Sequence, residues 1–226
     1  MNDTSRELID LMISAEVLTF GDFTTKSGRK TPFFVNMGRL RTGAQLSTLG
    51  ALYARAIDAV FGADVDLLFG PAYKGIPIAS ATAVALARDF GRDVPFAFDR
   101  KEVKDHGEGG QLVGQPPRDG DRVVIVEDVT TAGTSVRESI PKLRAVAPGC
   151  EVVGLVVSVD RQERGATDRG ALPELADEYG LRTVSLATLN DVVTHLHGRE
   201  VDGRVILDDE VAQRIADYRG EYGARA

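Results

Sequence analysis

The segment Val123-Val124-Ile125-Val126-Glu127-Asp128-Val129-Thr130-Thr131-Ala132-Gly133-Thr134-Ser135 constrains the fold more than any other part of the chain. Its β-branched run shows no polar alternation. That predicts a strand buried on both faces, as a parallel strand is when helices cover its sheet. Glu127 and Asp128 follow at the carboxyl end, then a turn of small residues, then the helical pattern of residues 136–140. A turn of this composition suits an anion. Thr130, Thr131, Thr134 and Ser135 offer hydroxyls, Gly133 lets backbone N–H groups turn inward, and the next helix presents the positive end of its dipole. The two acids disfavour a bare phosphate. They accept hydrogen bonds from ribose hydroxyls or stand near a phosphate-bound Mg2+, so the strand end reads as a sugar-phosphate site. An ordinary strand feeding a helix capped by Thr134 or Ser135 is the plainer alternative.

The rest of the chain alternates in the same way. Helical periodicity is expected over residues 5–15, with Thr4 or Ser5 as cap, and over 45–60, 78–90, 136–146, 172–179, 189–196 and 210–218. Strands are expected over 18–20 with 23–24, 31–36, 66–69, 95–99, 122–127, 151–159 and 183–186. The first two of these strands form a hairpin with a basic tip at residues 26–30. Strand-helix alternation implies right-handed βαβ units, hence a mostly parallel twisted sheet with helices on both faces. The expectation is one α/β domain over residues 1–226, with a small N-terminal hood over roughly 1–40 and a C-terminal extension from about 198 that carries no usable motif.

Ligands of such sheets bind beyond the carboxyl ends of the strands, and three further loops there carry chemistry. Ala72-Tyr73-Lys74-Gly75 offers backbone N–H groups and a cation, a cradle for pyrophosphate. A plain strand-to-helix turn accounts for Gly70 and Pro71 equally well but not for Lys74. Residues 100–110 hold Arg100, Lys101, Lys104, His106 and three glycines, which describes a basic flap or a solvated loop of mixed charge. Residues 160–165 present Arg161, whose guanidinium suits two-point bonding to a carboxylate, although surface arginines are common.

Composition narrows the classes. The formal charge of -7 argues against a broad nucleic-acid footprint, and no apolar run approaches a membrane span. Asp3, Glu7 and Asp10 read against a secretory signal, so a cytoplasmic enzyme is expected. The lone Cys150 excludes an internal disulfide and reads as a core residue; three histidines form no zinc-spaced cluster. No Walker loop occurs, and residues 107–112 lack the last glycine of G-x-G-x-x-G. Lysine is scarce, at six residues. Lys26, Lys30, Lys74, Lys101 and Lys104 lie in the loops above, leaving Lys142 on a plain helix.

The 123–135 segment resembles the 5-phosphoribosyl 1-pyrophosphate (PRPP) motif of type I phosphoribosyltransferases. Together with residues 23–36, 69–77, 100–110 and 160–165, the chain from about Thr4 to Leu196 resembles the orotate phosphoribosyltransferase family. Two departures stand out: Val35 where many members carry an aromatic, and Glu127 where an Asp is usual. The resemblance implies transfer of the phosphoribosyl group from PRPP to orotate with Mg2+, held mainly through PRPP. It implies PRPP contacts from Lys26, Tyr73, Lys74, Arg100, Lys101, Lys104, His106 and the whole run Glu127, Asp128, Val129, Thr130, Thr131, Ala132, Gly133, Thr134 and Ser135. Arg100, Lys101, Lys104 and His106 would be the catalytic flap residues. Orotate contacts would come from Lys26, Phe34, Val35, Thr131 and Arg161. A homodimer with shared active sites is implied as well. A transferase for another base, or a PRPP-sensing regulator that binds nucleic acid, are the alternatives. The hairpin and Arg161 favour orotate, and the acidic charge disfavours the regulator.

Overall fold

The computed structural model of the chain describes residues 1–25, 28–100, 111–130, 132–165 and 167–225. In chain order the elements are α1 (Asp3–Ser14), β1 (Leu18–Thr24), β2 (Lys30–Val35), α2 (Gly43–Phe61), β3 (Leu67–Gly70) and α3 (Gly75–Phe90). There follow β4 (Phe96–Asp99), β5 (Leu112–Gly114), β6 (Arg122–Val129), α4 (Thr134–Val146), β7 (Glu151–Asp160) and α5 (Ala171–Tyr179). The chain ends with β8 (Arg182–Thr188), α6 (Leu189–Leu196), the short strands β9 (Glu200–Val201) and β10 (Arg204–Val205), and α7 (Asp209–Tyr222).

The 123–126 run lies in the middle of a six-stranded sheet of order β5-β4-β3-β6-β7-β8. β6 pairs in parallel with β3 on one side and with β7 on the other. Only β5 runs antiparallel, at the edge. Alternation along β6 sorts its side chains between two cores. Val123 and Ile125 pack with Ile140 and Leu143 of α4 and with Leu172 and Leu175 of α5. Val124 and Val126 pack into the larger core with α1, α2 and α3. The continuous apolar run is therefore what a strand covered on both faces requires. This is the α/β arrangement expected from the sequence.

The N-terminal hairpin shares the larger core: Phe33 of β2 is fully buried there with Leu8, Ile9 and Met12 of α1. α2 opens with a capping box, in which the Thr42 hydroxyl accepts from Gln45 N–H and the Gln45 side chain accepts from Thr42 N–H. The first helix departs from expectation. Its cap is Asn2, whose Oδ1 accepts from Ser5 N–H at 2.8 Å, not Thr4 or Ser5. Ser5 is buried and donates its hydroxyl to Leu186 O, which removes it from the solvent-facing role of a cap. β5, β9 and β10 were not expected; runs of two or three residues are too short to show a period. Cys150 is buried and free, as its reading as a core residue anticipates. Among the described residues no helix is long and apolar enough to cross a membrane.

Candidate active site

Beyond the carboxyl ends of β3, β4 and β6 lies an open cleft of about 740 Å3. One wall is the predicted anion turn: Val129, Thr130, Ala132, Gly133, Thr134 and Ser135 all line it. Gly133 has φ of 70° and serves as the N-cap of α4, with no side chain capping the helix. The plain-cap reading of Thr134 or Ser135 is thereby set aside. A left-handed φ is natural for glycine, and a Cβ added here would lie 2.9 Å from Leu175 Cδ1. Thr130 Oγ1 accepts from Gly133 N–H at 3.0 Å and so closes the turn on itself. The first-turn N–H groups of α4 then face the cleft without an intrahelical acceptor, which is the arrangement that draws an anion.

The acids behind the turn are both buried. Asp128 Oδ2 accepts from Lys74 Nζ at 2.7 Å, which ties the start of α3 to the end of β6. Glu127 Oε2 is buried with no hydrogen-bond partner among the described residues. Burial pushes the Glu127 carboxyl up to about 7; the Ser135 hydroxyl opposes the rise and the neighbouring Asp128 charge adds to it. Beneath both acids, Tyr53 OH donates to Glu127 O at 2.6 Å and lies 2.6 Å from Ser158 Oγ. Its phenol is pushed well above the ordinary value by burial, so it stays a donor. An unpartnered buried carboxylate oxygen beside a second carboxylate fits ribose hydroxyls, or Mg2+ held by one or two carboxylates together with substrate oxygens. Among the described residues no group of three or more acidic, His or Cys side chains is placed to hold a metal alone.

The opposite wall comes from the β3–α3 turn. Gly70 and Gly75 pack backbone to backbone; a Cβ on Gly70 would sit 2.1 Å from Gly75 O. The Ala72–Tyr73 peptide is cis. Asp99, at the end of β4, accepts from Ala72 N–H at 2.7 Å and from Lys142 Nζ at 2.5 Å. Sequence reading missed this link. Lys142 is not a plain helix residue: it lines the cleft with Asp99 and Arg100. Only its spacing on α4, two turns beyond the anion turn, could have signalled it. Tyr73 and Lys74 follow in the same turn, exposed and outside the lining of the cleft, with Lys74 turned to Asp128.

A second region forms around Arg161, which is 9% exposed. Its Nε donates to Glu163 Oε1 at 2.7 Å, and its guanidinium carbon lies 4.7 Å from the centre of the Phe33 ring. Tyr218 of α7 donates its OH to the same Glu163 oxygen at 2.8 Å. The C-terminal stretch, in which the sequence shows no usable motif, thus reaches Arg161 through Glu163. Phe34 faces the other side of β2, 38% exposed and stacked on Phe23 at 5.5 Å, while Val35 is half-buried against the larger core. Arg29 at the hairpin tip lies over Tyr222 of α7. Lys26, Lys101, Lys104, His106 and Thr131 lie outside the described residues.

Comparison with known proteins matches this arrangement. The family model described as "Phosphoribosyl transferase domain" matches residues 41–176. The chain is similar to an orotate phosphoribosyltransferase of Lachnoclostridium phytofermentans, at 53% identity over 226 residues and the full length of both chains. It is also similar to the solved orotate phosphoribosyltransferase of Francisella tularensis, with a TM-score of 0.80 and 35% identity over 95% of this chain and 98% of that one. The Mycobacterium tuberculosis orotate phosphoribosyltransferase solved with PRPP gives a TM-score of 0.61 at 27% identity, covering 84% of this chain and 98% of that one.

Proposed function

We propose residue roles from one premise: the chain belongs to the orotate phosphoribosyltransferase family, and it transfers the 5-phosphoribosyl group of PRPP to orotate in pyrimidine biosynthesis. The products are orotidine 5'-monophosphate and pyrophosphate. The observation that carries the assignment is the first turn of α4, which faces the cleft with no side chain spent on capping it. The 5'-phosphate sits there, on the backbone and hydroxyls of residues 129–135. Glu127 and Asp128 take the ribose hydroxyls. Pyrophosphate lies along the β3–α3 turn, near Tyr73, Lys74 and Arg100. PRPP is the ligand in the Mycobacterium tuberculosis relative, which supports the same use of this cleft.

As the bond from C1' to the pyrophosphate oxygen breaks, positive charge builds on the ribose ring and negative charge on the departing oxygens; the new bond forms from C1' to a ring nitrogen of orotate, whose N–H proton passes to the departing pyrophosphate or to water. No enzyme nucleophile is needed. The protein's task is positioning and electrostatic stabilisation. Asp128 and Glu127 are the carboxylates best suited to Mg2+, which when bound offsets pyrophosphate charge. Orotate contacts Phe34 and Val35 of β2, with Lys26 of the hairpin and Thr131 of the anion turn as the family resemblance implies, and Arg161 bonds its carboxylate. From the family resemblance, Lys101, Lys104 and His106 complete the pyrophosphate site, and they act across a homodimer. The free, buried Cys150 suits a cytoplasmic location.

Subunit exchange tests the shared site. Lys104→Ala and Asp128→Asn are each expected to be poorly active. If the flap serves the neighbouring subunit, each mixed dimer holds one site with both defects and one with neither, so activity returns on mixing. Mixed dimers isolated with two tags that stay as inactive as their parents exclude the cross-subunit role. Purified protein with orotate and PRPP should release pyrophosphate, and a purine base should not replace orotate.

A further inference from the structure

Arg161 belongs to a closed ring of four side chains drawn from three distant parts of the chain. It donates Nε to Glu163 Oε1 at 2.7 Å, and Glu163 Oε1 accepts Tyr218 OH at 2.8 Å. The Tyr218 ring stands edge-on to Phe33, with centroids 5.8 Å apart and planes at 88°, and Phe33 is the platform under the guanidinium. All four residues are buried. We propose that Glu163 and Tyr218 are positioning residues that aim Arg161 at the carboxylate of the base and so set the preference for a carboxylated pyrimidine over one without that group. The proposal rests on the reading of Arg161 given above.

The donor count supports this. A guanidinium carries five N–H groups in a fixed fork. A single Glu163 oxygen takes Nε, and Nη2 also lies 2.7 Å from that oxygen. That second contact lacks hydrogen-bond geometry, so Nη2 is buried with no hydrogen-bond partner among the described residues. Nη2 is sealed against Glu163, so the donors left for a second carboxylate are those of the opposite edge of the fork, at Nη1. Glu163 therefore supplies counter-charge on one edge of the fork and leaves donors over for a second carboxylate.

Tyr218 is the reason Glu163 can do this from one fixed position. Its hydroxyl bonds the oxygen that faces Arg161 and holds that rotamer, while Phe33 below the guanidinium stops the plane from tilting. Burial pushes the Tyr218 phenol up to about 12, with the Glu163 charge adding to the rise, so the donor role persists across the physiological range. α7 thereby acts as a brace, with Tyr222 packed 5.0 Å from Tyr218 behind it.

Steady-state kinetics on full-length Glu163→Gln, Tyr218→Phe and the double variant test the proposal, with orotate and with uracil, the same ring lacking the carboxylate. Glu163→Gln should raise the KM for orotate by about tenfold or more, the scale of one charge-assisted hydrogen bond, with the KM for PRPP within about twofold. The preference for orotate over uracil should fall by the same factor. Tyr218→Phe, which removes one oxygen and keeps the ring, should give a smaller loss of about threefold. The double variant should be no worse than Glu163→Gln, since Tyr218 acts through Glu163. An orotate preference unchanged in Tyr218→Phe and Glu163→Gln, or an equal fall for orotate, uracil and PRPP alongside a lower Tm, overturns the proposal. If Glu163→Gln does not fold, Tyr218→Phe decides alone. Failure of the Arg161 reading is separately visible: Arg161→Ala would then leave the orotate KM unchanged.

Discussion

The two sides proposed for the site, one for phosphate and one for the base, are built by opposite means. On the proposed 5'-phosphate side, a strand end, its turn and the first turn of the next helix lie together within residues 127–135, and the helix start has no side-chain cap. On the base side the central group is one side chain, Arg161, held by Glu163 nearby and by Tyr218, which lies 55 residues from Glu163. A backbone cradle is stiff because the fold fixes it. A side-chain fork is only as well aimed as the residues packed around it. Damage to the cradle should therefore affect PRPP first, whereas damage to the fork should affect orotate alone.

The largest effect should come from Gly133→Ala. A side chain at φ of 70°, with its Cβ close to Leu175, displaces the turn. Displacement of about 1 Å costs on the order of 100-fold in rate, so kcat/KM for PRPP should fall by that much or more. Near-normal turnover would break the comparison, because the cradle would then not depend on its backbone. Arg161→Ala comes next on the other side. Removing one partner of a buried charged contact costs about 2–5 kcal/mol, so the KM for orotate should rise roughly 30-fold or more while that for PRPP barely moves. Equal rises in both constants would contradict the division of labour.

Lys142→Ala should have a smaller effect confined to the phosphate side. Without Lys142, Asp99 keeps the Ala72 N–H but carries an unpaired charge in the cleft wall. The KM for PRPP should rise by about tenfold, the scale of one charged hydrogen bond, with that for orotate unchanged. A change in orotate binding alone would place Lys142 on the wrong side.

The smallest effect near neutral pH is a pH dependence at Glu127. As pH falls through about 7, the carboxyl gains a proton and loses acceptor capacity for ribose hydroxyls. The KM for PRPP should rise by up to about tenfold per pH unit below that point, and Glu127→Gln should remove this component. Stability moves in the opposite direction. Between the ordinary 4.5 and about 7, the folded protein holds a proton that the unfolded chain has released, so stability is fully present below that window and is lost as pH rises through it. The Tm of the parent should fall relative to that of Glu127→Gln between about pH 5 and about pH 7.5. Parallel profiles would show that Glu127 does not titrate there.

The sequence by itself determined the parts of the molecule that are local in the chain. The uninterrupted 123–126 run could only satisfy its apolar character between two helical layers, and the alternation of strands and helices then set a parallel sheet. The anion turn was legible because glycine, hydroxyls and a helix start are adjacent letters. Arg161 was legible too, as a candidate fork at the end of β7. The tertiary structure alone decided what supports them. β5 is a three-residue strand that exists because the edge of β4 accepts it. Lys142 meets Asp99 across 43 residues, and Tyr218 reaches Glu163 from a helix whose own sequence looks like a polar surface segment. Asn2 displaces the expected cap because Ser5 is drawn into the core by Leu186. Periodicity and turn chemistry record the pull of solvent and backbone on neighbouring residues, whereas each of these contacts joins side chains that only the packing of separate elements brings within hydrogen-bond reach.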